Sequence, residues 1–445
     1  MFFTSFWQMH VLILLFAKLC VPLYVFFMLD MIRRSILYIC MLLSAATSIA
    51  QDITTSADTL VADTTYTLPW PQSMQARLDS IIGGAKMLET SQMGFLVYDL
   101  DDDSVLYARD QRQVIRPAST MKLITAITAL DQLGTDYEYS TRVCYTGKVM
   151  PSATFEQDST QLLIGDIYII GGMDPKISEE DISTFAKSIR SLGVDTICGN
   201  IYADRSMKDS DQYGEGWCWD DDNAILSPLV YKRKDNMIDV LLTALSKEKV
   251  FLDGNKGEKK CPQGAKVAYE LRRPLEDVLQ PMMKLSNNLY AESMYYQIGL
   301  TQGRPATAKK AQTVEEAIMK KAGAGDAIHR FADGSGLSLY NYLSAEIEVA
   351  FLRYAFKREA VFDALYRSLP IAAVDGTIKD RMAGTPAAGN VHAKTGTLSG
   401  VSSLAGYLTA PNGHRLAFSI MNQGVMRGIY AKNLQDKLCA AMCRQ

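Results

Sequence analysis

Three short constellations with chemistry in their side chains occur in one order along the chain: Ser119-Thr120-Met121-Lys122, Ser286-Asn287-Asn288 and Lys394-Thr395-Gly396. A serine and a lysine three residues apart share one face of a helix, one turn apart, so the Lys122 amine can reach the Ser119 hydroxyl. That pairing suits acyl transfer with serine as nucleophile and lysine as base. The base must be neutral, so its pKa has to fall from ~10.4 to near neutrality, at ~4 kcal/mol. Burial alone could supply much of that shift. A second cation about 4 Å away would add on the order of 4 kcal/mol at an effective dielectric near 20, and Lys394 is the candidate.

The remaining groups take complementary roles. At a helix N-terminus the free N–H groups favour developing negative charge. The N–H groups of Ser119 and Thr397 would form an oxyanion hole, with Gly396 letting the strand approach the acyl group. Lys394 with the Thr395 and Thr397 hydroxyls would hold a substrate carboxylate. Ser286 would relay a proton to the leaving amine, and the Asn288 amide would bind a peptide group of the substrate.

Taken singly, each constellation has an ordinary explanation. Ser119 could cap a helix, Ser286 to Asn288 could cap the next one, and Lys394 to Gly396 could be a surface turn. A serine and lysine at this spacing arise by chance about once or twice in a chain of this length. A second instance, Ser246-Lys247-Glu248-Lys249, stands in polar surroundings with no helix-start signal ahead of it and reads as a decoy. The joint, ordered occurrence favours chemistry over three independent accidents.

The elements around these residues are legible. Gly94 to Leu100 and Ser104 to Arg109 form an expected strand hairpin across Asp101, Asp102 and Asp103. From Ser119, apolar residues recur at helical spacing as far as Leu133, where Gly134 stops the helix. Leu162 to Ile170 reads as a strand, Ser178 to Leu192 as a helix with an acidic first turn, and Asp195 to Ala203 as a strand, giving a βαβ-containing segment. Pro281 to Leu300 reads as helical and Lys394 to Thr409 as strand. Asn412-Gly413 is a hairpin turn leading into Arg415 to Met421, and Met426 to Met442 is a closing helix.

At 445 residues, 48% hydrophobic and 21% charged, the chain describes a globular protein of two or three domains. Its net charge is −3, and about −5 once the cationic leader is set aside, so no basic face points to nucleic acid. Arg33 and Arg34, the apolar run Ile36 to Leu43 and Ser48-Ile49-Ala50 read as a cleaved secretory signal, with Met31 as a candidate true start. The rival reading makes His10 to Leu29 a membrane span, the only membrane contact then being an uncleaved leader. Tyr38 and Ile39 before Cys40 do not suit a lipoprotein anchor. Six cysteines remain after the leader (Cys144, Cys198, Cys218, Cys261, Cys439, Cys443), and their fifteen pairings stay open. The cysteines lack CxxC spacing, and His10, His329, His392 and His414 form no HExxH, so no metal and no cofactor is expected.

The motif triplet is that of penicillin-binding proteins and serine β-lactamases. Arg116 to Leu123, Gly165 to Pro175, Ser286 to Glu292, Asp333 to Ser338, Leu369 to Ile378 and Gly384 to Tyr407 strongly resemble the penicillin-binding protein 4 type D-Ala-D-Ala carboxypeptidases, peptidase family S13. The resemblance implies an α/β (α+β) fold, a transpeptidase/β-lactamase-like catalytic domain with an antiparallel sheet flanked by helices and an inserted smaller α/β module. The organisation expected is a leader at 1–50, a flexible tether at 51–68, a split catalytic domain at 69–140 plus 262–445, and the module at 141–261. It further implies D-alanyl-D-alanine carboxypeptidase and endopeptidase activity on peptidoglycan stem peptides in the periplasm, with β-lactams trapping Ser119.

Two departures bear on specificity. The 167 positions between Ser119 and Ser286 are few for this family, so a reduced insertion is expected. Leu339 stands where many relatives carry an arginine for a diaminopimelate carboxylate, and Asp204 matches a family aspartate near the same substrate group. The competing readings are a β-lactamase on the same scaffold and a non-catalytic peptidoglycan-binding protein. The first lacks the usual local acid for deacylation, and the intact Ser119, Lys122, Ser286 and Lys394 argue against the second. A Ser-His-Asp hydrolase lacks a GxSxG elbow. Oligomeric state is not legible.

Overall fold

A computed structural model describes residues 68–152, 160–221 and 223–444. The leader and all of the tether but Leu68 therefore lie outside the described residues. No helix among the described residues is long and apolar enough to cross a membrane.

A five-stranded antiparallel sheet forms the frame, in the order His392–Leu398, Val401–Thr409, Arg415–Gln423, Gln92–Asp99, Ser104–Arg109. Strand Gln92–Asp99 is buried from Met93 onward because both faces are covered. Leu96 and Tyr98 feed one core, and Phe95 and Val97 feed the other, as the two-residue period of a strand demands. The first core holds helix Met121–Leu133, buried at every position from Met121 to Leu130, with helices Asn288–Leu300 and Ala345–Phe356 around it. The second core lies under helices Gln72–Gly83 and Gly428–Met442, which pack on each other.

A third core, containing Val143, Phe185, Ile197 and Leu241, sits among strands and helices from the segment between the first two motifs. Two expected strands are each broken in two here. Gln161–Ile164 and Ile167–Ile170 belong to different sheets, as do Thr196–Cys198 and Ile201–Asp204. Glycines stand at the fissure: a Cβ on Gly165 would lie 2.2 Å from the Thr146 carbonyl oxygen, one on Gly199 2.1 Å from that of Gly165, and one on Gly254 1.9 Å from that of Gly199. Only glycine permits backbones to meet so closely, and the chains cross between sheets there. Strand Lys266–Pro274 pairs antiparallel with Glu138–Tyr145, so this sheet recruits residues beyond the Lys-rich stretch that follows Ser246.

The six cysteines of this region and the C-terminal helix are all free thiols. At one end of the strands of the main sheet, His414 Nδ1 lies 2.8 Å from Asp99 Oδ2, tying the Asn412-Gly413 turn to the acidic hairpin. The hydrogen bond that His414 donates to Asp99 raises the His414 pKa above its ordinary value. A raised histidine pKa stabilises the fold fully below the unfolded value near 6.5 and progressively less as pH climbs through the folded one. His414→Ala is therefore expected to lower the melting temperature more at pH 5.5 than at pH 8.5; an equal loss at both would refute the charged pairing.

Candidate active site

Ser119 sits in a single 3-10 turn, Ala118–Thr120, that leads directly into helix Met121–Leu133. Ala118, just before it, has φ +52, a left-handed conformation costly for a residue with a Cβ. Its surroundings hold it there. A Cβ on Gly336 would come 1.8 Å from the Ala118 carbonyl oxygen, so the turn after Asp333 is pressed against the serine turn.

Lys122, on the first turn of the helix, is fully buried. Its Nζ lies 2.8 Å from Ser119 Oγ, 2.8 Å from Asn288 Oδ1 and 2.7 Å from the Ser335 carbonyl oxygen. Two of these neighbours can only accept. A neutral amine has two N–H bonds and one lone pair, so Asn288 Oδ1 and Ser335 O take the N–H bonds, and the lone pair faces the one neighbour with a proton to give, the Ser119 hydroxyl. Burial pulls the Lys122 pKa down to about 7, against the opposing pull of Asp333 and Glu292.

The Ser335 carbonyl is itself placed by carboxylates. Asp333 accepts from the Gly336 N–H at 2.7 Å, the Ser338 N–H at 2.6 Å, Asn341 Nδ2 at 2.7 Å and Trp217 Nε1 at 2.8 Å. Glu292, on the same helix as Asn288, accepts from the Ser335 N–H at 2.8 Å. Burial, and then the Asp333 charge, raises the Glu292 pKa to about 8.

The expected helix from Pro281 to Leu300 is two helices, Leu275–Lys284 and Asn288–Leu300. Between them Ser286 adopts φ +59, and Asn287 caps the second helix through its side chain, 3.4 Å from the Tyr290 N–H. The break aims Ser286 at the cavity and puts Asn288 in the first turn facing Lys122. Lys394 Nζ donates to Ser286 Oγ at 2.8 Å and to the Thr395 carbonyl at 2.8 Å. It is buried, and burial followed by the Lys122 charge pushes its pKa well below the lysine range. Burial thus leads for both amines, as expected for Lys122, and the added contribution expected from a charged Lys394 is not among the causes that lower the Lys122 pKa.

Strand His392–Leu398 is the sheet's edge, so one row of its backbone groups has no strand partner. Its Gly396 presses on the serine turn: an added Cβ would stand 2.4 Å from the Pro117 carbonyl oxygen and 3.2 Å from Ala118 Cβ. Gly396→Ala is expected to push the strand off Ser119 and lower acylation by about 10²-fold, the scale of one lost oxyanion donor, with far-UV circular dichroism unchanged. Wild-type acylation in that variant would refute the close-approach role.

Ser119, Ser286, Thr395 and Thr397 line one cavity of ≈ 340 Å³ together with Thr377, Arg381 and Lys432. Asp204 is not brought to it. One carboxylate oxygen of Asp204 accepts from the Ser206 N–H at 2.9 Å and the other from the Cys261 N–H at 2.8 Å, which occupies it in shaping its own turn. The second serine–lysine instance is indeed a decoy, since Ser246 ends helix Met237–Lys247 and donates to the Leu242 carbonyl. Sequence reasoning missed Thr377, Arg381 and Lys432. Thr377 falls within a stretch of family resemblance, but Arg381 and Lys432 carry no local signal.

Fold and constellation together define a serine peptidase. The chain belongs to the D-Ala-D-Ala carboxypeptidase 3 (S13) family, whose model matches residues 74–240 and 229–444. It is 30% identical over 434 residues to a D-alanyl-D-alanine carboxypeptidase of Actinomadura sp. (strain R39), covering 76% of this chain and 78% of that one. The crystal structure of penicillin binding protein 4 (dacB) from Haemophilus influenzae is similar in fold, with a TM-score of 0.73 at 22% identity over 81% of this chain and 97% of that one. The same protein complexed with a β-lactam gives a TM-score of 0.68 at 22% identity, over 81% and 98%.

Proposed function

We propose that the protein removes the terminal D-alanine from peptidoglycan stem peptides, and cuts D-Ala crosslinks, through an acyl-enzyme on Ser119. The observation that carries this reading is the environment of Lys122, a buried amine whose two acceptor-only neighbours leave its lone pair for the Ser119 hydroxyl. As Ser119 Oγ bonds to the carbonyl carbon between the two D-alanines, its proton passes to Lys122 Nζ. The N–H groups of Ser119 and Thr397 hold the resulting oxyanion. The C–N bond then breaks as Lys122, through Ser286, returns a proton to the leaving amine. Water repeats the sequence on the ester, releasing the shortened peptide and free Ser119. Asn288 keeps its Nδ2 group for a substrate carbonyl, since Oδ1 is taken by Lys122.

A β-lactam offers the same amide carbon with a tethered leaving group, so the serine ester forms and lingers. The leader pattern and this substrate class favour the periplasm. The chain divides on this reading into a catalytic domain at 69–140 and 262–445 and a module at 141–261, with Lys266–Pro274 pairing into the module's sheet. Fluorescent penicillin should label the protein about one to one, and peptide mapping should find the adduct on Ser119. Turnover of many nitrocefin molecules per enzyme would move the reading to a β-lactamase.

A further inference from the structure

The cavity beside Ser119 has a charge pattern that the three motifs do not explain. None of its seven lining residues is an acid, and two are cations, Arg381 and Lys432. Lys394, the motif cation expected to meet a substrate carboxylate, does not line it. Its amine is fully buried and committed to Ser286 Oγ and the Thr395 carbonyl. Arg381 is committed too, with Nε 2.9 Å from Asp436 Oδ1 and Nη2 3.1 Å from Gln435 Oε1 and 3.2 Å from the Lys432 carbonyl. An arginine already paired with an aspartate offers an incoming anion little net charge.

Lys432 differs. It stands on helix Gly428–Met442, half-buried, and among the described residues its ammonium has neither a carboxylate nor a hydrogen-bond partner. The Arg381 contact uses its backbone carbonyl and leaves the side chain free. Sharing the cavity lining with it are hydroxyls: Thr395 Oγ1 lies 2.8 Å from Thr377 Oγ1, and Thr397 follows on the same strand. One uncompensated cation with several hydroxyl donors is the chemistry that receives a carboxylate.

We propose that Lys432 is a specificity-determining residue that binds the free C-terminal carboxylate of the leaving D-alanine, with Thr377, Thr395 and Thr397 as hydroxyl donors. This assignment rests on the carboxypeptidase reading above and deepens it. It moves the charge that reads the substrate's end from the motif lysine to the C-terminal helix. The contact is half-exposed, so its effect is moderate and screened by salt.

The test compares two substrates in one assay, a diacylated peptide ending in D-Ala-D-Ala and the same peptide ending in D-Ala-D-alaninamide. The full-length enzyme should prefer the acid. Lys432→Met should lower kcat/KM for the acid about 10-fold more than for the amide, mainly through KM, and Lys432→Arg should restore most of the preference. Raising the salt concentration should shrink the unsubstituted enzyme's preference and leave that of Lys432→Met unchanged. Equal losses on acid and amide would overturn the assignment, because a merely structural role does not distinguish them. An unchanged acid-to-amide ratio in Lys432→Met would overturn it as well while leaving the carboxypeptidase reading intact. That broader reading fails separately, and takes this one with it, if the unsubstituted enzyme releases no D-alanine and takes no penicillin label.

Discussion

Ser119→Ala is expected to abolish the penicillin adduct and to lower D-alanine release by about 10⁴-fold or more, the scale seen when a serine hydrolase loses its nucleophile. The fold should survive. Ser119 lies in a one-turn segment at the cavity wall, and its hydroxyl is engaged by Lys122 rather than by the core. Lys122 would keep Asn288 Oδ1 and Ser335 O as acceptors, so the variant should melt within a few degrees of the parent, a change of about 1 kcal/mol being worth 2–4 °C at this size. Ser246→Ala is the matched control, because the decoy shares the spacing but ends its helix with its hydroxyl on a backbone carbonyl. Intact-protein mass spectrometry after penicillin treatment reads both variants. A stoichiometric adduct on Ser119→Ala would sink the assignment.

That contrast shows what was legible in the sequence. Spacing alone found two serine–lysine pairs, and context separated them: apolar residues at helical spacing follow Ser119, and polar ones surround Ser246. The hairpin at Gln92–Arg109, the helix to Leu133 and the capped helix at Glu179–Arg190 follow from periodicity and turn chemistry, which are local. What stayed hidden depends on distant partners. The glycines at 165 and 199 split two apparent strands because each backbone meets another that is remote in sequence. Ser286 leaves its helix in a left-handed conformation, which no residue preference at a serine announces. Arg381 and Lys432 are ordinary surface cations until the C-terminal helix carries them to the serine cavity.

The same distance argument explains why the carboxylates were overlooked. Asp333 and Glu292 touch no cavity lining residue directly, yet they fix the turn whose Ser335 carbonyl holds Lys122. They also resist the fall in the Lys122 pKa that burial imposes. The site therefore balances two tendencies. Desolvation drives the amine neutral, and the opposing pull led by Asp333 keeps it basic enough to take a proton near pH 7. A base whose pKa lies near the working pH is the efficient one.

Lys122→Arg and Lys122→Met test that balance with opposite chemistry. Arginine keeps donors for Asn288 Oδ1 and Ser335 O but stays charged throughout the accessible pH range, so it cannot accept the serine proton. Both variants should lose about 10²- to 10⁴-fold in acylation, the usual worth of a general base, and arginine should not recover at high pH. In the unsubstituted enzyme kcat/KM should rise as pH climbs through about 7, because the neutral amine is the active form. Stability carries the same signature. The unfolded chain holds the lysine proton up to about pH 10.4 while the folded one releases it near 7, so this residue makes stability increase with pH across that window. At neutral pH its burial costs roughly 4 kcal/mol. Lys122→Met removes that cost but strands two acceptors at about 1–3 kcal/mol each, leaving little net change in melting temperature at pH 7. What should shrink is the upward slope between pH 7 and 9, leaving the share that the buried Lys394 supplies. Melting curves measured across that interval decide the matter: parallel slopes in parent and Lys122→Met would mean that the amine is charged in the folded protein, and so is not the base.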